Sequence, residues 1–199
     1  MEQAHGLVVC GGQSTRMGRD KSLLDYHGIP QRYFLYRLLQ PFCKKVFISC
    51  NTIQANNIVA GYEFITDHEK YANIGPMAAI LSAFEAYPND PFLVIGCDHP
   101  FIREEDIQQL LKGRDDGAAA VSFFNEEADV YEPLLSIYEK NMVVRLQENF
   151  HRQQYSLQSI LKEVNSRKIL PRNLSAIQSI DTFPDHLLAI EQIKREAAE

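Results

Sequence analysis

The chain has 199 residues, of which 45% are hydrophobic and 23% charged, and its formal net charge is −6. This length fits one globular domain over residues 1–199, with or without a small appendage, and the negative charge disfavours broad electrostatic binding to DNA or RNA. No run approaches the ~20 apolar residues that cross a bilayer, and the start Met1-Glu-Gln-Ala-His5 lacks the apolar core of a secretion signal. We therefore expect a cytoplasmic protein with no nucleic-acid and no membrane partner.

The first half of the chain alternates short apolar runs with segments whose apolar residues share one helical face. This alternation is typical of a mainly parallel sheet that is covered by helices on both faces, and it predicts a three-layer α/β/α, Rossmann-like fold. The predicted strands are 6–10, 46–49, 62–66 and 92–96, and the predicted helices are 32–42, one that begins at 75–76, and one around 107–111.

The second half of the chain is less regular, and its elements are shorter or less clearly bounded. A helix is predicted to begin at Pro184 and to reach about Ala197, because proline suits the first helical turn. The other predicted elements are strands at 118–124 and 130–138, helices at 142–150 and 157–164, and short strands at 168–170 and 176–180.

The loop after the first strand is a candidate phosphate site. It begins with Gly11 and Gly12, which allow backbone N–H groups to approach an anion closely, and Arg16 and Lys21 supply positive charge. The loop matches neither the Walker pattern nor GxGxxG, so a tight turn between a strand and a helix is the alternative for the glycines alone. Asp20 is expected either to orient one of the cations or to cap the following helix.

Three polar residues, Asn51, Asp67 and Asp98, each follow a predicted strand. Ligands bind outside the carboxyl ends of parallel strands, so we expect these side chains to gather beside the glycine loop. Magnesium commonly binds one or two carboxylates together with phosphate oxygens and water, which makes Asp98 a candidate ligand. Asp67 is a candidate for contact with a ribose or the metal, and Asn51 for contact with a base or sugar. A turn or cap role is the alternative for each.

The cysteines and histidines show no pattern of a transition-metal site. Cys10, Cys43, Cys50 and Cys97 form no CxxC pair and are predicted to be reduced and mostly buried. The six histidines have no HExxH spacing, and His99 is expected to shape the pocket beside Asp98.

Four segments of the chain are similar to the motifs of one enzyme family. The segment Val8-Val-Cys-Gly-Gly-Gln-Ser-Thr-Arg-Met-Gly-Arg-Asp-Lys21 resembles the signature L-A-G-G-x-S-x-R-M-G-x-D-K. Asp67…Gly75-Pro-Met-Ala-Ala-Ile80 is similar to D…G-P-L-A-G-I. Phe92-Leu-Val-Ile-Gly-Cys-Asp-His-Pro-Phe101 is similar to a strand ending in C-D-x-P-F, and Glu132-Pro-Leu-Leu-Ser-Ile-Tyr138 is similar to P-L-x-A-L-Y. By these motifs the chain resembles the molybdenum cofactor guanylyltransferase (MobA) family, nucleotidyltransferases of glycosyltransferase-A type, and the D-K ending of the first motif favours this branch over cytidylyltransferases.

The resemblance implies transfer of GMP from GTP to molybdopterin, with or without molybdenum, and release of pyrophosphate. It implies that Arg16, Lys21 and Asp98 are catalytic, with Mg²⁺ bound by Asp98. The implied nucleotide contacts are the backbone at Val9, Cys10, Gly11 and Gly12, Lys21 on the phosphates, Asn51 and Asp67 on the nucleoside side, and Asp98 through the metal.

The resemblance also implies a nucleotide-binding half over about 1–115 and an acceptor-binding half over about 116–199. GTP and molybdopterin are the implied substrates, and molybdoenzymes or their chaperones are candidate recipients of the product. The chain departs from the family at Cys10, where alanine is usual, at Ala79, where glycine is usual, and at Ser179-Ile-Asp181-Thr-Phe-Pro-Asp185, where N-x-N-T-P-E-[DE] is common. The alternatives are a nucleotidyltransferase that uses CTP or a sugar phosphate acceptor, and a nucleotide-binding relative without catalysis.

Overall fold

The computed structural model describes residues 2–10 and 20–196. The predictions at Gly11, Gly12 and Arg16 lie outside these described residues. The strands of the described residues are β1 (His5–Val9), β2 (Val46–Cys50), β3 (Phe64–Thr66), β4 (Phe92–Gly96), β5 (Ala120–Asn125), β6 (Val130–Tyr138) and β7 (Arg167–Ile169).

Helices alternate with the strands along much of the chain. Short 3₁₀ helices cover Lys21–Leu23, Glu69–Tyr71 and Leu174–Ile177. None of the helices in the described ranges is long and apolar enough to cross a membrane. The α-helices are α1 (Gln31–Leu39), α2 (Thr52–Ala55), α3 (Met77–Ala86), α4 (Glu104–Lys112), α5 (Met142–His151), α6 (Leu157–Glu163) and α7 (Phe183–Glu196).

All seven strands join one sheet in the order β3-β2-β1-β4-β6-β5-β7. The strands β3, β2, β1 and β4 pair in parallel, and β5 pairs in parallel with β7. Strand β6 runs antiparallel to both of its neighbours, β4 and β5. The prediction of a mainly parallel sheet is therefore confirmed.

Two apolar clusters cover the two faces of the sheet, as alternate side chains of each strand point to opposite faces. On β1, Leu7 and Val9 join the cluster formed with α3, α5 and α6, whereas Val8 joins the cluster formed with α1 and α4. On β4, Val94 belongs to the first cluster and Leu93 to the second. This arrangement confirms the three predicted layers.

The C-terminal helix α7 packs against a third, smaller cluster. Its Ala189 is buried with Leu24, Tyr26, Phe101 and Ile180, which come from three distant parts of the chain. This cluster joins the segment around Lys21 to the C-terminal segment, and it therefore brings residues of the two expected halves of the protein together.

The predicted strand at 176–180 is wrong. Residues Leu174–Ile177 form a 3₁₀ helix, because the side chain of Asn173 accepts a hydrogen bond from the Ser175 N–H and caps it. Beyond this turn, the Ile180 N–H donates to the Asp98 carbonyl oxygen at 2.8 Å instead of joining a sheet ladder. The short apolar run thus serves a turn and an anchored loop.

Candidate functional site

The carboxyl ends of four parallel strands meet at one edge of the sheet. Val9 of β1 is in register with Ser49 of β2 and with Gly96 of β4, and Cys50 is in register with Thr66 of β3. Each of the predicted residues Cys10, Asn51, Asp67 and Asp98 follows one of these strand ends within two residues, so the structure brings them to the same edge.

The backbone at the end of β1 is largely used by the sheet. The Cys10 N–H donates to the Ser49 carbonyl oxygen at 3.2 Å, and the Val9 carbonyl accepts from the Cys97 N–H at 3.1 Å. The thiols of Cys10 and Cys97 lie 3.1 Å apart and are buried. All four cysteines are free and buried, as predicted, and burial raises the pKa of Cys97, which keeps its thiol protonated.

Lys21 is the first residue of the 3₁₀ helix Lys21–Leu23, which follows the glycine loop in the sequence. Asp20 caps this helix by accepting from the Ser22 N–H at 2.9 Å, and its second carboxylate oxygen accepts from the Gln54 side chain at 2.8 Å. Of the two roles expected for Asp20, the structure therefore shows the cap.

The ammonium group of Lys21 lies against an acid from the far end of the chain. Its Nζ donates to Asp181 Oδ1 at 2.6 Å, and the Lys21 side chain is only 20% exposed whereas that of Asp181 is 55% exposed. Lys21 also lies close enough to Asp98 to lower the pKa of that carboxyl group. The structure thus gathers one cation and two carboxylates at this edge.

Asp98 lies beside the buried imidazole of His99, with 2.9 Å between Asp98 Oδ1 and His99 Nδ1. Burial acts to raise the pKa of Asp98, but the nearby charges of His99 and Lys21 outweigh burial, so the pKa is lowered. Burial likewise acts to lower the pKa of His99, and Asp98 outweighs it in the opposite direction. The surroundings therefore favour an ionised Asp98.

Gly96 makes room for the Asp98 carboxylate. A Cβ atom at position 96 would lie 2.4 Å from Asp98 Oδ1 and 3.0 Å from side-chain atoms of Leu134. Both distances are shorter than ordinary contacts, so any side chain at the end of β4 would displace the carboxylate or the neighbouring strand.

Asp67 follows β3 and is held by a neighbouring strand. The Ser49 hydroxyl donates to Asp67 Oδ1 at 2.9 Å, and the Asp67 N–H donates to the Cys50 carbonyl oxygen at 3.0 Å. Burial raises the pKa of Asp67, and the hydrogen bond from Ser49 opposes this only in part. The Ser49 hydroxyl therefore orients the carboxylate but only partly offsets the unfavourable burial of its charge. Such a carboxylate is suited to accept a further hydrogen bond from a ligand hydroxyl.

The side chain of Asn51 caps the N-terminus of α2, which is the alternative that the sequence offers to a ligand contact. Its Oδ1 accepts from the Gln54 N–H at 2.9 Å, and Gln54 Oε1 accepts from the Asn51 N–H at 3.0 Å, which together form a capping box at α2. Because the cap uses the side-chain oxygen, contact with a nucleoside would fall to the amide NH₂ group.

Two clefts are lined by these residues. One, of about 690 Å³, is lined by Asn51, Asp67, Tyr71 and Gly75 among others. The other, of about 350 Å³, is lined by residues that include Asp98, Glu132, Tyr155 and Ser179. Asp98 lies at the second cleft and Asp67 at the first, so the two carboxylates face two different spaces.

The residues at Asp98 fit a magnesium ion that is shared with a phosphate. Asp98 Oδ1 is buried and has no hydrogen-bond partner of good geometry among the described residues. Within residues 2–10 and 20–196, no cluster of three or more histidine, cysteine, aspartate or glutamate side chains could enclose a metal. A single carboxylate suits Mg²⁺, which takes its remaining ligands from phosphates and water.

Sequence reasoning missed several residues that shape this site. Ser49 lies on the inward side of a strand and gives no polar motif, and Gln54 could have been found only as the fourth residue of an N-x-x-Q capping pattern. Gly96 precedes Asp98 by two residues and could have been recognised as a glycine at a strand end. The pairing of Asp181 with Lys21 spans 160 residues, and no local signal indicates it.

Residues 6–169 of the chain match the model of the MobA-like NTP transferase domain. The chain is 30% identical over 186 residues to the molybdenum cofactor biosynthesis bifunctional protein of Synechocystis, a match that covers 92% of the chain and 52% of that protein. The chain thus spans about half the length of this relative.

A shorter relative and a solved structure match over almost their whole lengths. The molybdenum cofactor guanylyltransferase of Serratia proteamaculans is 27% identical over 188 residues, covering 94% of the chain and 93% of that protein. The crystal structure of molybdopterin-guanine dinucleotide biosynthesis protein A from Archaeoglobus fulgidus is similar with a TM-score of 0.80 and 22% identity, covering 96% of this chain and 99% of that one. This structural likeness supports the observed fold.

Proposed function

The chain belongs to the MobA-like NTP transferase family, and from this premise we propose that it transfers GMP from GTP to molybdopterin. The products would be molybdopterin guanine dinucleotide and pyrophosphate. The observation that carries the proposal is the convergence of Lys21, Asp67 and Asp98 at the carboxyl edge of the parallel strands, where two clefts open. The similarity to guanylyltransferases over nearly the whole chain supports it.

The nucleoside part of GTP would lie in the larger cleft. Asp67, whose carboxylate is oriented by Ser49, would accept a hydrogen bond from the sugar or base, and the Asn51 amide would donate one. The cleft volume of about 690 Å³ falls within the range of small-molecule sites. The resemblance assigns the backbone of Val9, Cys10, Gly11 and Gly12 to the nucleotide as well.

The triphosphate would meet the cations. Lys21, and Arg16 in the loop before it, would neutralise the phosphate oxygens and the charge that develops on leaving pyrophosphate. Asp98 would hold Mg²⁺, which when bound supplies further positive charge to the phosphates. Because the attacking group is already a phosphate anion, no strong general base is needed, and catalysis would rest on positioning and charge neutralisation.

The acceptor would approach from the smaller cleft beside Asp98. Its position on the side of β6 and the C-terminal segment supports a division into a nucleotide-binding half of about 1–115 and an acceptor-binding half of about 116–199. Downstream, molybdoenzymes or their chaperones in the cytoplasm would receive the dinucleotide.

A turnover screen tests this proposal. The protein is mixed with molybdopterin, Mg²⁺ and one of GTP, ATP, CTP or UTP, and pyrophosphate release is measured, with a reaction lacking molybdopterin as the control. We expect pyrophosphate with GTP and molybdopterin together. Release that is fastest with CTP would indicate a cytidylyltransferase, and no release with any nucleotide would indicate a relative that only binds nucleotides.

A further inference from the structure

The C-terminal segment sends a carboxylate to the lysine that the proposed function assigns to the triphosphate. Lys21 Nζ lies 2.6 Å from Asp181 Oδ1, and Asp181 is the acid within ion-pair distance of this ammonium group among residues 2–10 and 20–196. The two residues belong to different halves of the protein. This contact is not a local consequence of helix or strand geometry, because 160 positions separate the partners.

The backbone next to Asp181 is hydrogen-bonded to Asp98, another of the predicted catalytic residues. The Ile180 N–H donates to the Asp98 carbonyl oxygen at 2.8 Å, and the Ile180 side chain is buried in the small cluster that contains Leu24, three residues after Lys21. This hydrogen bond and the packing of Ile180 in the cluster fix the position of the segment, so that the side chain of Asp181 lies beside Lys21.

The two members of the ion pair differ in their freedom to move. Lys21 is 20% exposed, whereas Asp181 is 55% exposed. An ion pair with one partner in water is weak and is screened by salt. Asp181 can therefore leave the lysine by side-chain rotation while Ile180 keeps its place. A phosphate group, which carries more charge and more acceptor oxygens than a carboxylate, competes well for the same ammonium group.

We propose that Asp181 is an internal counter-ion that occupies Lys21 in the free protein and is displaced from it by the triphosphate of GTP. This inference rests on the proposed function, in which Lys21 meets the phosphates. Ser179, two residues earlier, lines the smaller cleft, and its hydroxyl lies 3.5 Å from Asp181 Oδ2. Asp181 therefore lies next to the wall of the cleft that the acceptor would enter.

Equilibrium binding of GTP with Mg²⁺ to the full chain tests the inference. Asp181→Asn keeps the shape of the side chain, removes its charge and installs the residue common in the resembling family. We expect the Kd for GTP to fall about two- to fivefold, and the gain to shrink in high salt. Glu191→Gln, which removes one charge from an exposed position of α7, is the matched control, and its Kd is expected to equal that of the unchanged protein.

The double variant Lys21→Ala/Asp181→Asn separates a direct contact from a general effect of charge. If Asp181 acts through Lys21, the second substitution gives no gain in the Lys21→Ala background. An unchanged or weaker Kd for Asp181→Asn, or a gain that persists without Lys21, would overturn the inference while normal turnover leaves the proposed function standing. Failure of the unchanged protein to bind GTP at all would overturn both, and this outcome is visible in the first titration.

Discussion

The two halves of the sheet differ in how firmly they are built. In the first half, every residue of β1, β2 and β4 is buried, and each of these strands lies between two neighbours. In the second half, β7 is a three-residue edge strand with two exposed residues, and the segment after it contains only a 3₁₀ turn before α7 begins. The comparison indicates that the central strands are held more firmly than β7 and the segment that follows it.

The largest effect on turnover is expected from the substitution of Lys21. Lys21→Ala should lower the rate of pyrophosphate release with GTP and molybdopterin by about 100- to 1000-fold, the loss seen when one donor to a developing anion is removed. The fold should be retained, because the Lys21 side chain pairs with the exposed Asp181 and belongs to none of the buried apolar clusters. Lys112→Ala, at an exposed position of α4, is the control, and near-normal turnover of Lys21→Ala would remove Lys21 from the phosphate site.

Paired core substitutions compare the stability of the two halves directly. Leu93 on β4 is fully buried, so Leu93→Ala should lower the free energy of unfolding by about 2–5 kcal/mol. Ile169 on the edge strand β7 is only partly buried, and Ile169→Ala should cost about 1 kcal/mol. Urea denaturation measures both, and equal losses would contradict the difference between the halves.

Asp98→Asn should shift the magnesium dependence of turnover. The substitution keeps the size of the side chain but removes the charge that binds the cation. Loss of a residue that only orients a metal ligand already costs about 10- to 100-fold, so at least about tenfold more Mg²⁺ should be needed for half-maximal rate. A magnesium titration of initial rates measures this, with exposed Asp116→Asn as the charge-matched control. An unchanged titration curve would exclude Asp98 as the metal ligand.

A smaller effect is expected at Asp67. Asp67→Asn should raise the KM for GTP about five- to tenfold with little change in kcat, since one hydrogen bond to the nucleoside is weakened. Glu126→Gln, which removes one charge from an exposed position outside the cleft, serves as the control.

The same substitution should change the pH dependence of stability. Burial raises the pKa of Asp67 in the folded state above its ordinary value of 3.8, so the folded protein holds this proton more tightly and loses stability as pH rises. Asp67→Asn should therefore be more stable than the unchanged protein at neutral pH. This difference in the free energy of unfolding should disappear below about pH 4. Urea denaturation at several pH values measures it, and a difference that does not change with pH would contradict the prediction.

The sequence predicted the parallel half well because its strands are continuous apolar runs, and a polar residue at the end of each run must reach the common edge. Asp67 and Asp98 were found in this way. The 3₁₀ helix at Leu174–Ile177 was mistaken for a strand because its four residues are too few to display a helical period. The contact between Asp181 and Lys21 depends on the packing of Ile180 beside Asp98, which no local pattern encodes.

The most direct test of nucleotidyl transfer follows the two ends of the triphosphate separately. The protein is incubated with molybdopterin, Mg²⁺ and GTP that carries a radiolabel on either the α- or the γ-phosphorus. We expect the α-label in molybdopterin guanine dinucleotide and the γ-label in pyrophosphate. Transfer of the γ-label to the acceptor, or its release as orthophosphate, would contradict attack at the α-phosphorus.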